Sequence, residues 1–278
     1  MEYIPRILFT VPDTTICTDA IKAGQHVLLL GPRGCGKTSL AQAVAEHLGR
    51  QLITVPCHVG ASSESLIGQW VPRPDGQGFQ WMDGLITSAV RHGHLVLLDE
   101  VNVLKAEVAF CIHGLLDHRR QLILTDKPGP DGSAEIVHAH PAFGLIAAGN
   151  LGYAGTRELN PAFRDRFAVQ IAVCYHADID IAVLEQSPAG QVLTEQERTP
   201  VRAFIRKLRS EDRQEAIPEV STRAIIDFAW NLASHGFPVA RALFLGRYDD
   251  EGDRSALRVL LREFWANDGT PRSTGGAA

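Results

Sequence analysis

Eight consecutive residues, Gly31-Pro32-Arg33-Gly34-Cys35-Gly36-Lys37-Thr38, have the spacing of a loop that cradles phosphate. Glycines let successive backbone N–H groups converge on one anion, and the start of a following helix adds its positive dipole end. Lys37 can reach the outer phosphates, the Thr38 hydroxyl can hold Mg²⁺, and Ser39 continues the same segment. A glycine-rich turn with no phosphate to bind would require neither the lysine nor the hydroxyl. The implied ligand is a nucleoside triphosphate with its magnesium ion, Mg²⁺.

Three further groups of side chains suit the chemistry of that ligand. His94-Leu95-Val96-Leu97-Leu98-Asp99-Glu100 is an apolar run ending in two acids. Asp99 would stand behind Mg²⁺, and Glu100 would orient and deprotonate the water that attacks the γ-phosphate. Two acids at a strand end can also merely cap the next helix, but their place about sixty residues after a phosphate loop favours hydrolysis. Phe143 to Gly149 is another apolar run, and Asn150 after it could hold the attacking water or sense the γ-phosphate; an Asn after Gly is otherwise a common turn residue. Arg164 and Arg166, in Asn160-Pro161-Ala162-Phe163-Arg164-Asp165-Arg166-Phe167, could stabilise the charge of phosphoryl transfer from a neighbouring subunit, the alternative being a solvated salt bridge with Asp165. Arg223, in Val220-Ser221-Thr222-Arg223, could report nucleotide state, the alternative being a pair with Asp227 at helical spacing.

The elements that must position these groups follow from the apolar pattern. Short apolar runs at 27–30, 52–55, 95–98, 143–148 and 168–173 read as buried strands, with helical patterns near 38–48, 84–92, 105–117 and 160–165 between them. Such alternation predicts an α/β fold with a mainly parallel five-stranded sheet flanked by helices, over residues 1–175. From 176 to 266 the strand signal disappears, and helices near 177–187, 194–212, 221–235 and 253–266 predict a small all-helical lid domain. The Gly, Ser, Thr and Ala-rich stretch 267–278 reads as a disordered tail. Two inserts, about 64–82 and 121–138, carry apolar and aromatic residues on either side of Pro/Asp/Gly turns and predict projecting hairpins rather than plain surface loops.

Composition narrows the function classes. The chain has 278 residues, 45 % of them hydrophobic, and a net charge of −5, so no global basic field would draw it onto nucleic acid. Five cysteines without a CxxC pair suit free thiols in a reducing compartment. No run approaches the roughly 18 apolar residues of a membrane helix, and a soluble cytoplasmic protein is expected. His92, His94, His113, His118, His138 and His140 form no HExxH or paired-cysteine pattern, so metal is expected only with the nucleotide.

Taken together, GPRGCGKT, LVLLDE, AAGN, NPAFRDRF and VSTR, in that order over residues 31–223, resemble the AAA-plus ATPases of the MoxR type. Val55-Pro56-Cys57-His58, Leu66-Ile67-Gly68, Trp81-Met82-Asp83-Gly84, Leu116-Asp117-His118-Arg119-Arg120 and Ala139-His140-Pro141-Ala142-Phe143 are similar to the subgroup containing CbbQ, NorQ, GvpN and CobS. The resemblance implies phosphate binding by Gly31 through Thr38, magnesium at Thr38 and Asp99, catalysis by Glu100, sensing by Asn150 and Arg223, and a trans-acting arginine at Arg164 or Arg166. It further implies a hexameric ring that remodels or matures a partner protein, often a metalloenzyme, with a von Willebrand factor A adaptor. A small-molecule kinase built on the same loop would not need Glu100, Asn150 and a helical lid. A DNA-acting motor of the same superfamily fits the acidic balance poorly.

Overall fold

A computed structural model describes residues 2–58, 60–150, 159–210 and 217–272, which form two compact units. The first unit takes in Pro5–Pro32 and Gly36–Val173. It opens with a small hairpin, β1 (Ile7–Leu8) and β2 (Val11–Pro12), and helix α1 (Asp13–Lys22). Then come β3 (Val27–Leu30), α2 (Lys37–Leu48), β4 (Leu52–Pro56), the short α3 (Ser63–Leu66), and the hairpin β5 (Gly68–Pro72) and β6 (Phe79–Asp83). They are followed by α4 (Leu85–His92), β7 (Leu95–Asp99), α5 (Ala106–Cys111), and the hairpin β8 (Gln121–Pro128) and β9 (Ala134–His138). The unit ends with β10 (Gly144–Gly149), α6 (Pro161–Arg164) and β11 (Val169–Ala172).

Five strands make one sheet in the order β11-β3-β10-β7-β4, every pairing parallel. Parallel strands covered on both faces should be apolar throughout rather than alternating, and β3 and β10 are buried at every position. The sheet core runs from Leu28, Val96, Leu98 and Leu145 to Phe143, Phe163 and Phe167, with Ile86, Ala89 and Val90 of α4 packed on it. The two inserts are antiparallel hairpins. Trp70 and Trp81 face each other across β5 and β6 with ring centroids 5.8 Å apart, and the Trp70 indole N–H donates to the Asp126 carbonyl on β8 at 2.8 Å, tying one insert to the other.

One helix expected from the sequence is cut short. The pattern at 105–117 gives only α5, followed by a 3-10 turn, His113–Leu115. Gly114 explains the break, since a Cβ there would lie 2.7 Å from the Gln121 carbonyl of β8, so the chain is pinned close to that strand instead of continuing its helix.

The second unit runs from Cys174 onward and includes Arg33–Cys35 and the first residues of the chain. Its helices are α7 (Ala177–Gln186), α8 (Pro188–Val192), α9 (Glu195–Leu208), α10 (Thr222–His235), α11 (Phe237–Leu245) and α12 (Glu251–Phe264). A capping box between Thr194 and Glu197 starts α9, and the Ser221 side chain accepts the Ala224 N–H to start α10. Phe204, Phe228, Phe244, Phe264 and Trp265 stack edge to face as the centre of this unit's own core. Within 267–272 the chain turns back, with Trp265 bridged to Pro271; the rest of the stretch expected as a tail lies outside the described residues. Among the described residues no helix is long and apolar enough to cross a membrane.

Candidate functional site

Three neighbouring strands, β3, β10 and β7, deliver the predicted groups at their carboxyl ends, where open parallel sheets bind ligands. Gly31 follows β3 and donates its N–H to the Gly149 carbonyl of β10 at 3.1 Å. The segment through Gly36 then turns into α2. Gly34 and Gly36 both adopt positive φ (69° and 97°), and Gly36 stands at the helix N-cap in the left-handed region that a side chain would strain. Cys35 is buried, whereas Arg33 and Ser39 are exposed.

Lys37 is the buried cation of this loop, 8 % exposed. Its ammonium donates to the Gly31 carbonyl at 2.8 Å, the Pro32 carbonyl at 2.6 Å and Asn150 Oδ1 at 2.9 Å. A lysine brought this far out of water needs such acceptors. On the other side Thr38 Oγ1 donates to Asp99 Oδ2 at 3.3 Å. This pairing joins a hydroxyl and a carboxylate from elements 61 residues apart, a hard-oxygen donor set of the kind magnesium takes together with nucleotide phosphates. The residues present therefore fit the expected Mg²⁺, with Thr38 and Asp99 as its holders.

Glu100 has an unusual backbone, with φ 57° and ψ 42°. Non-glycine residues take up this region at a cost that is tolerated chiefly at functional sites. The reversal ends β7 and starts a 3-10 turn, Val101–Val103, whose Val103 N–H donates to the Glu100 carbonyl at 2.9 Å. Asp99 Oδ1 accepts the Glu100 N–H at 3.1 Å, so the two acids are held together. Cys57, just past β4, donates its N–H to the Asp99 carbonyl at 2.8 Å. Burial, with Asp99 and Glu100 nearby, pushes its thiol up to about 12, which leaves it an inert neighbour of the acids.

The two arginines on and after α6 stand in different surroundings. Arg164 is exposed, and its Nε donates to Gln170 Oε1 at 2.9 Å. Arg166 is half-buried and faces Asp117 at 3.7 Å; neither pairs with Asp165 among the described contacts. Hydrogen bonds from the Arg119 side chain hold the Asp117 carboxyl down at about 2, an anion available to Arg166.

Within the helical unit, Arg223 is exposed on the first turn of α10, and Asp227 pairs with Arg247 at 2.5 Å rather than with Arg223. Within this unit the cap of that helix lies beside Gly34, where a Cβ would stand 3.0 Å from the Ser221 Cβ. The Tyr175 hydroxyl donates to the Arg33 carbonyl. Behind it, the Arg209 guanidinium lies 4.1 Å from the Tyr175 ring centroid and donates to Asp180 Oδ2 and the Val220 carbonyl, each at 2.7 Å. Thr222 Oγ1 completes the set by donating to Asp180 Oδ1 at 2.6 Å. Asp180, Arg209 and Tyr175 escaped the sequence reading, because a hydrogen-bond network that closes across helices leaves no fixed spacing.

A phosphate loop after the first core strand, a strand-terminal acid pair and a parallel sheet define a P-loop nucleotide-binding protein of the α/β class. Residues 26–167 match the family model described as AAA domain, dynein-related subfamily, and the chain belongs to that family of ATPases, with the AAA+ fold. It is similar to an uncharacterized protein of Staphylococcus saprophyticus, 32 % identical over 256 residues that cover 88 % of this chain and 94 % of the relative. A second, from Staphylococcus epidermidis, is 33 % identical over 256 residues with the same two coverages. Among solved structures, a candidate ATPase from Cytophaga hutchinsonii aligns with a TM-score of 0.45 at 19 % identity, covering 88 % of this chain and 78 % of that one. NtrX from Brucella abortus in complex with ADP aligns with a TM-score of 0.47 at 17 % identity, covering 89 % and 66 %.

Proposed function

We propose that the chain is a MoxR-type, ATP-hydrolysing ring motor that remodels or activates a partner protein in the maturation of a metalloenzyme or assembly, working with a von Willebrand factor A adaptor. The observation that carries the catalytic part is the convergence of Lys37, Thr38, Asp99, Glu100 and Asn150 at the ends of three adjacent parallel strands. In this reading the loop N–H groups and Lys37 bind the phosphates of ATP. Thr38 and Asp99 would hold magnesium, which would supply charge neutralisation of the phosphate oxygens. Glu100 takes a proton from the attacking water, and Asn150 orients that water against the γ-phosphate. Arg164 or Arg166 of a neighbouring copy stabilises the charge that develops in transfer, and Arg223 senses the bound nucleotide from its own unit.

The partner, the adaptor and the six-fold ring rest on the resemblance of the motifs in their order, GPRGCGKT through VSTR. The test couples phosphate release to assembly. Purified protein with Mg-ATP should release inorganic phosphate at a rate per subunit that rises with concentration as sedimentation shows oligomer forming, and Glu100→Gln should keep ATP bound while losing turnover by on the order of a hundredfold or more. A single-subunit species at full turnover would overturn the ring, and a phosphorylated small molecule in place of free phosphate would favour the kinase.

A further inference from the structure

Asn102 belongs to none of the motifs that name the site, yet it lies between two of them. The left-handed turn at Glu100 reverses the chain after β7, and the 3-10 turn Val101–Val103 that follows carries Asn102 back against β10. There Asn102 Oδ1 accepts the backbone N–H of Asn150 at 2.8 Å, across 48 residues of sequence. The parallel ladder has no partner for that N–H, since the β10 register to β7 ends at Ala147 opposite Leu98, and to β3 at Gly149 opposite Leu30. The donor is a backbone N–H, so the oxygen and not the nitrogen of the amide must face it. Room for the amide is made by Gly149, where a Cβ would stand 2.5 Å from Asn102 Oδ1.

From Asn150 the connection continues through its side chain, whose Oδ1 accepts Lys37 Nζ at 2.9 Å. We infer that Asn102 is a positioning residue for ATP hydrolysis, fixing the backbone of Asn150 so that its amide and the acid Glu100 keep one geometry relative to Lys37. Asn102 acts through Asn150 and holds no nucleotide itself. This rests on the hydrolytic reading above, in which Glu100 and Asn150 share the attacking water. A displacement of a positioned group by about 1 Å costs on the order of a hundredfold in rate, whereas ground-state grip on the phosphates depends on the loop and Lys37, which this change leaves in place.

The experiment compares wild type with Asn102→Leu, which keeps the bulk and removes the acceptor, and Asn102→Asp, which restores an acceptor oxygen. Phosphate release gives kcat and KM, equilibrium titration with ATP gives Kd, and thermal melting without nucleotide monitors folding. Asn102→Leu should lower kcat by about tenfold to a hundredfold with Kd for ATP within about threefold, and Asn102→Asp should recover most of the lost kcat. Full kcat in Asn102→Leu, or equal losses in kcat and ATP affinity with no recovery in Asn102→Asp, would overturn the inference while leaving the hydrolytic reading intact. Wild-type protein that binds ATP and releases no phosphate would overturn both.

Discussion

Lys37 Nζ and Asn150 Oδ1 are hydrogen-bonded at 2.9 Å, although 113 residues separate them in sequence. The ammonium of the loop after β3 and the amide at the end of β10 are thus directly linked. The two nevertheless separate by substitution. Lys37→Ala should abolish ATP binding, seen as loss of the stabilisation of about 2.7 kcal/mol that ligand at a hundredfold over Kd confers, about 2–4 °C of melting temperature for each kcal/mol. Asn150→Ala should keep that shift and lose turnover by tenfold or more. An Asn150→Ala protein with unchanged turnover would remove Asn150 from the reaction.

Mild acid should destabilise the sheet unit through one buried imidazole. His26, at the foot of β3, is 3 % exposed, and its Nε2 donates to the Leu115 carbonyl at 3.1 Å while Nδ1 has no hydrogen-bond partner among the described residues. Burial, with Arg120 nearby adding to it against the opposing Leu115 hydrogen bond, lowers its pKa to about 4. The folded chain therefore keeps His26 neutral down to that pH, whereas the unfolded chain protonates near 6.5. Between those values the unfolded state binds more protons, so this contribution falls as pH drops from about 6.5 to 4 and is constant above. It amounts to on the order of 3 kcal/mol over the whole window. His26→Gln retains a donor for Leu115 and cannot titrate, and urea midpoints at pH 4.5 to 7.5 should show a flatter slope for it than for wild type. Asp117, held at about 2, loses its contribution only below the ordinary carboxyl range and does not mimic this slope. Parallel slopes in the two proteins would refute the assignment.

The helical unit turns on a buried ion pair. Asp180 and Arg209 have side chains 2 % and 9 % exposed and meet at 2.7 Å, with Thr222 and the Val220 carbonyl satisfying further atoms of each. Removing one partner of such a pair leaves an uncompensated buried charge, about 3–5 kcal/mol, while replacing both by apolar groups is far milder. Arg209→Met should accordingly cost more stability in urea than the double change Arg209→Met with Asp180→Leu. A single variant costing under about 1 kcal/mol would mean the carboxylate finds water.

These cases mark what a sequence can reveal. Leu95–Leu98 and Val27–Leu30 are continuous apolar runs, and the phosphate loop has a fixed spacing, so the central strands and the Lys37, Thr38 and acid-pair positions were readable. Helix α1 was not, because it buries Asp13, Thr14 and Thr18 and so lacks a clean apolar face, with Asp13 paired to Arg6 at 3.7 Å. Helix α11, Phe237-Pro238-Val239-Ala240-Arg241-Ala242-Leu243-Phe244-Leu245, fails for the opposite reason, since it is apolar nearly all round and carries no period. Asn102 looked like any polar residue after the acids, because its meaning comes from Asn150 on another strand.

Arg164 and Arg166, equivalent in the sequence, differ in their surroundings. Arg166 is engaged inside its own chain by Asp117 at 3.7 Å, with Nε buried, whereas Arg164 is exposed and, among the described residues, its guanidinium is engaged through Nε by Gln170 and its terminal nitrogens have no partner. A residue that must reach a neighbour's γ-phosphate needs those nitrogens available, so Arg164 is the better trans-acting group, and Arg166→Ala should chiefly lower stability. Arg164→Ala and Lys37→Ala should each be inactive alone, the first lacking the donated charge and the second lacking bound ATP. Mixed in one assembly, a Lys37→Ala subunit can lend its intact Arg164 to an Arg164→Ala subunit that still binds ATP. Phosphate release should therefore reappear on mixing, up to a fraction of the wild-type rate set by how often the two kinds of subunit adjoin in the productive order. No recovery in mixed oligomers verified by sedimentation, together with recovery when Arg166→Ala replaces Arg164→Ala, would transfer the role to Arg166.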